Sequence, residues 1–138
     1  MKLLKPLFFV LVLALSTQLF AQDTLIFKSN LGAGLITNRE GKSLNFRYLI
    51  KSSADIPEAK RYFRRARFNN VVATIFSFPG AVIVGYPLGL SLSGQKLNTD
   101  LLMIGGGLIV VGLPFNIMRN RNMRRGVDAY NRGVYRGE

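Results

Sequence analysis

The sequence predicts an all-α membrane protein: an antiparallel transmembrane helical hairpin, with a short polar segment before it and a basic tail behind it. Three observations predict this class. Residues 71–92 and 99–118 are apolar runs, and from Phe68 to Met118 the only charged side chains are Lys96 and Asp100. A soluble domain needs charge on its outer surface, and this stretch has almost none to show water. Six polar-leaning residues, 93–98, join the two runs, so two helices there must lie side by side and antiparallel. Small residues also recur inside both runs, where helices packed in lipid use them for close approach.

Residues 1–21 read as an export signal. Lys2 and Lys5 supply its positive start, residues 7–15 its apolar centre, and Ala21 a small residue at the cleavage position. The nine-residue centre is short for a bilayer span. An uncleaved anchor is the competing reading.

Residues 22–54 form a small polar segment. Residues 24–27 fit a short strand, and Asn38-Arg39-Glu40-Gly41-Lys42 a turn. Ser43 is placed to cap a helix through Ile50, but the alternation of Leu44, Phe46, Tyr48 and Ile50 fits a strand equally well. The segment is too small to bury a sizeable core alone.

The hairpin occupies residues 55–118, with spans at about 71–92 and 99–118. Asp55 precedes Ile56-Pro57-Glu58, which reads as an N-cap with proline in the first turn and an acid at the positive end of the helix dipole. A helix of 22 residues rises about 33 Å, enough for a hydrocarbon core of roughly 30 Å. Asp100 sits at the mouth of the second span as another favourable N-terminal acid.

In the first span Ala73, Ser77, Ala81, Gly85 and Gly89 follow one another at a spacing of four. Such a ridge of small side chains lets a second helix come close. Gly105 and Gly112 in the second span are seven apart and share a face. These seven residues are the expected helix-packing positions, either within one hairpin or between copies. Pro79, Pro87 and Pro114 each remove a backbone donor, which a neighbouring helix or a hydroxyl such as Ser77 can offset.

Residues 119–138 form a basic tail. Met123, Val127, Tyr130 and Val134 make an apolar stripe at helical spacing, with Arg121, Arg125, Arg132 and Arg136 off it. A surface-lying amphipathic helix and a solvated tail are both open. Basic residues crowd both outer ends of the hairpin. Arg61, Arg64, Arg65 and Arg67 lie before the first span and Arg119, Arg121, Arg124 and Arg125 after the second. These eight are the expected contacts to anionic lipid headgroups.

Composition narrows the function. The 138 residues carry a formal net charge of +12, with no Cys and no His. That removes disulfides, thiolate metal sites and the commonest general base. The seven carboxylates are scattered. No phosphate loop, dinucleotide fingerprint or nucleic-acid motif is present, so the positive charge points to anionic lipid rather than nucleic acid. No cofactor and no enzymatic activity are expected. The expected role is structural or interactive, as a glycine-rich hairpin in the bacterial inner membrane, alone, as a homo-oligomer or with another membrane protein. The alternative is a small oligomeric pore or permeability factor. Orientation is contested: an export signal sends both arginine-rich flanks outward, whereas the positive-inside rule holds them in the cytoplasm.

From Gly41 onward the chain resembles a group of small bacterial membrane proteins with an export signal and a Gly-rich two-helix hairpin. The residues that carry the likeness are Gly41-Lys42-Ser43-Leu44, the basic run 64–70, Gly85-Tyr86-Pro87-Leu88-Gly89, Gly105-Gly106-Gly107 and Pro114-Phe115. Asp128-Ala129-Tyr130-Asn131 is a partial match to the tail of that group. The resemblance implies a two-helix membrane protein and brings no activity with it.

Overall fold

The computed structural model describes residues 24–30 and 33–137. The expected export signal lies outside the described residues. Five elements follow in order: β1 (Ile26–Asn30), β2 (Ala33–Thr37), α1 (Phe46–Ser52), α2 (Pro57–Leu92) and α3 (Thr99–Arg136). Two helices dominate, packed antiparallel as the sequence predicts, and each is long and apolar enough to cross a membrane.

The N-terminal segment is structured, and it is not all-α. β1 and β2 pair antiparallel, with Phe27 opposite Ile36 and Ile26 opposite Thr37. The turn after β2 falls where expected. The Asn38 carbonyl accepts from the Gly41 amide at 3.0 Å, and Gly41 takes φ 81°, a left-handed value that glycine adopts without steric cost. Ser43 does not cap a helix. It bridges to Thr37, and Asn45 caps α1 instead, its Oδ1 accepting from the Tyr48 amide at 2.8 Å. The alternation thus resolves as a helix from Phe46 onward, because the cap and a buried Leu49 decide what periodicity leaves open.

Helix α2 starts one residue later than the Asp55 cap implies. Ile56 is the N-cap residue and makes no side-chain cap bond, while Pro57 opens the helix and Glu58 stands in its first turn. Ile56 is buried, so its side chain serves the core rather than the helix end. Pro79, Pro87 and Pro114 all lie inside unbroken helices. The turn between helices uses Gly94 at φ 84°, and Asn98 caps α3 through a bond from the Leu101 amide.

Both helices are much longer than their apolar runs. At about 1.5 Å per residue, α2 extends ~54 Å and α3 ~57 Å. Each therefore has an apolar half and a polar half. The basic tail is neither a surface-lying helix nor a solvated end: α3 runs without a break through Arg136, and Met123, Val127 and Ala129 are buried. The stripe expected to lie on a bilayer faces α2 and the strands. The polar halves, α1 and the β-hairpin together enclose a core of Leu25, Ile36, Leu49, Ile56, Ala59, Phe63, Ala66, Met123, Val127 and Ala129. The N-terminal segment cannot bury a core by itself, so it borrows two helix ends to do so. We call this unit the cap, and the apolar halves the stem.

Candidate functional site

Two arrangements define what the molecule can do: the seam between the helices, and the junction where stem becomes cap.

The seam follows a seven-residue repeat of small residues on both helices. On α2 these are Ala59, Ala66, Ala73, Gly80 and Pro87, and all are buried. On α3 they are Gly105, Gly112, Gly126 and Gly133, also buried, with Arg119 at the remaining heptad position. A repeat of seven keeps a seam aligned along two helices that wind slightly around each other. A Cβ on Gly80 would stand 2.8 Å from the Gly105 carbonyl oxygen, and one on Gly105 would stand 2.8 Å from the Gly80 carbonyl oxygen. Backbone meets backbone there, so only hydrogen fits. In the cap a Cβ on Gly126 would strike the Phe63 ring at 2.6 Å, and one on Gly133 would strike Ile56 at 2.7 Å. Phe76 and Phe115 stack across the stem with centroids 6.5 Å apart.

Of the expected packing residues, Ala73, Ser77, Gly105 and Gly112 meet at this seam. The Ser77 hydroxyl points at Gly112. Ala81, Gly85 and Gly89 do not join it: Ala81 is exposed, and a Cβ on either glycine would touch nothing. The reason is helical geometry. A spacing of four advances 400° per step, so each residue falls about 40° further round the helix. The ridge leaves the partner after its second member and continues on the outer face of the stem. Gly80, which lies between ridge positions, makes the backbone-to-backbone approach to Gly105 instead.

At the junction, Arg119 breaks the glycine repeat of α3. Its Nη1 donates to Asn70 Oδ1 across the seam at 3.0 Å, and its Nε and Nη2 donate to Asn120 Oδ1 at 3.2 and 3.1 Å. Asn120 Oδ1 also accepts from the Gly34 amide of β2 at 3.2 Å. A side chain on Gly34 would collide with both Asn120 and Phe27, which explains glycine at this strand position. Burial pushes the Arg119 guanidinium down from its ordinary value, though arginine stays charged. Its place is inside the junction, turned away from the surface ring of arginines. A cavity of about 310 Å³ opens beside it, bounded by Asn45, Leu44, Leu49, Asn70 and Met123 among others.

A second amide ties the cap shut. Asn131 donates from Nδ2 to the Leu25 carbonyl and accepts on Oδ1 from the Leu25 amide, both at 2.9 Å. The side chain thus mimics a neighbouring strand and holds the start of the sheet to α3. Asn131→Asp keeps the acceptor and loses the donor. It is expected to cost about 1–2 kcal/mol. Amide exchange at Leu25 should accelerate roughly tenfold while amides of the stem are unchanged.

The other expected headgroup contacts remain exposed. Arg61, Arg64, Arg65 and Arg67 line the last turns of α2 before the stem, and Arg121, Arg124 and Arg125 the first turns of α3 after it. Asn70 pairs with Arg119, so the two arginine groups stand at one level and ring the base of the stem. Among the described residues the one ion pair is Arg132 with Glu58 at 3.5 Å, on the exposed cap surface and worth little. No group of three or more metal-ligating side chains occurs among the described residues. No known family matches the chain, and neither does any curated protein or solved structure.

Proposed function

We propose that the protein is a non-enzymatic integral membrane protein, in which residues 71–92 and 99–118 cross a bilayer and the cap stands on one face of it as a rigid interaction module. One observation carries this reading. The apolar windows of α2 and α3 are only 17% and 11% buried within the chain, whereas the polar halves of the same helices close around a core. Phe78, Val82, Met103, Ile104, Val110 and Ile117 are among the large apolar side chains left bare. An apolar surface that extensive is untenable in water and is what lipid covers.

Two further features support it. The antiparallel register brings the ends of both apolar runs level, so one slab of hydrocarbon fits both. The arginine ring lies directly below that slab, where each near-surface cation gains about 1 kcal/mol from anionic lipid. As part of this reading the host is the bacterial inner membrane, which suits the export signal expected at residues 1–21.

The pore reading rests on a separate observation. The seam is filled by backbone contact, so a pore would require several copies. The exposed ridge of Ala81, Gly85 and Gly89 is the face on which copies would pack closely. Liposomes that hold the protein and leak dye would support the pore; sealed liposomes support the packing module.

The membrane reading is tested by extraction. The protein is expected to stay in the membrane pellet through alkaline carbonate and high salt, because screening charge does not remove two apolar spans. Release by salt alone overturns it.

A further inference from the structure

We propose that the groove between α1 and the base of α2 is a binding site for one anionic glycerophospholipid, an inference that rests on the membrane reading above. The groove is open to its surroundings, has a volume of about 450 Å³ and is lined by Ile50, Arg64, Arg67, Phe68 and Val71. Its chemistry is divided along its length. Arg64 and Arg67 are three apart and share a face of α2; Phe68 follows Arg64 by four and Val71 follows Arg67 by four, so the apolar pair lies one turn nearer the stem. The same face continues into the stem as Ile75, Phe78 and Val82, all exposed. Two guanidiniums therefore stand where a bilayer's phosphates lie, and an apolar track leads from them into the hydrocarbon. Neither arginine has a carboxylate partner among the described residues. Guanidinium pairs take phosphate oxygens in fork geometry.

Ile50 of α1 makes this a groove rather than an open helix face. It walls one side and distinguishes Arg64 and Arg67 from arginines that merely project into the headgroup layer. A free phosphate would satisfy the cations but leave Ile50, Phe68 and Val71 against water. A diacyl lipid satisfies both ends, so the occupant is a lipid.

The test uses the full chain in phosphatidylcholine nanodiscs that hold a small fraction of phosphatidylglycerol, with retained lipid measured by native mass spectrometry. The wild type is expected to retain one phosphatidylglycerol. Arg64→Gln with Arg67→Gln should weaken retention by roughly thirtyfold, about fivefold for each cation. Lys28→Gln with Lys42→Gln removes the same charge from the strand side of the cap, away from the arginine ring, and should leave retention within about threefold. Equal loss in both pairs overturns the site in favour of diffuse attraction. Displacement of the lipid by millimolar inorganic phosphate overturns it in favour of a free-anion site. Failure of the membrane reading is separate: the wild type would then not enter nanodiscs at all.

Discussion

Gly105→Ala is expected to destabilise the helical hairpin by about 1–3 kcal/mol, and Gly105→Leu to separate the two helices. Two effects oppose each other. Alanine is the better helix former by roughly 1 kcal/mol, and at an open position that gain would show. Gly105 is not open: the new methyl would lie 2.8 Å from the Gly80 carbonyl oxygen and as close to Val84. The obstacle includes backbone, which cannot rotate aside. The helices must part, and contacts along the neighbouring turns weaken together. Gly85→Ala serves as the contrast. Its side chain enters open space, so it should be neutral or slightly stabilising for the single hairpin. Unfolding in detergent micelles, followed by circular dichroism, distinguishes the two. A Gly105→Ala protein as stable as the wild type would refute the backbone contact. Loss of oligomer mass in Gly85→Leu, with the hairpin intact, would instead place copies against the ridge.

The second large effect concerns the cap. Phe63 is fully buried and rests against Gly126. Truncating a buried phenylalanine to alanine costs about 3–5 kcal/mol. The cap core consists of ten residues, drawn from β2, the three helices and the flanking Leu25 and Ile56, and several of them are small, so this loss exceeds what the remaining contacts can absorb. Phe63→Ala is expected to unfold the β-hairpin and α1 while the stem stays in the membrane. Limited proteolysis should then cut within residues 33–56, sites protected in the wild type, and membrane fractionation should be unaltered. Loss of membrane association together with the cap would show that stem and cap are one cooperative unit.

The hairpin was legible because its signals are local. A charge-free run, a six-residue turn, Asp100 in a first turn and two glycines seven apart each speak within a few residues. The cap was not legible, and particular residues show why. Leu25 reads as part of a minor strand until Asn131 is placed beside it. Ala59 and Ala66 sit within an arginine-rich stretch that gives no local sign of the core they join. Gly126 and Gly133 of the tail look like helix breakers, yet Phe63 of α2 and Ile56 at its N-cap leave no room for a side chain at either. Heptad spacing was present throughout, in Ala59, Ala66, Ala73 and Gly80 and again in Gly105, Gly112, Gly126 and Gly133. The more conspicuous run at spacing four, Ala73 to Gly89, lies mostly on a face that turns away from the partner.

The bond between Leu25 and Asn131 joins residues 106 apart, and both apolar helices lie between them. This sets an order of events during synthesis. At about 5–20 residues per second, β1 emerges roughly 5–20 seconds before the amide that will hold it. Through that interval the strand pair has no third element to cover it, and an isolated two-stranded ribbon is barely stable. The stem, by contrast, needs only its own neighbouring turns and can zip as soon as both helices are made. Folding is therefore expected to run from the turn at Gly94 outward, the stem closing first and the cap forming last, so that amides of the stem gain protection before that of Leu25 in pulsed hydrogen exchange. A nascent chain halted before Asn131 would carry a finished stem and an N-terminal segment with nothing to hold it.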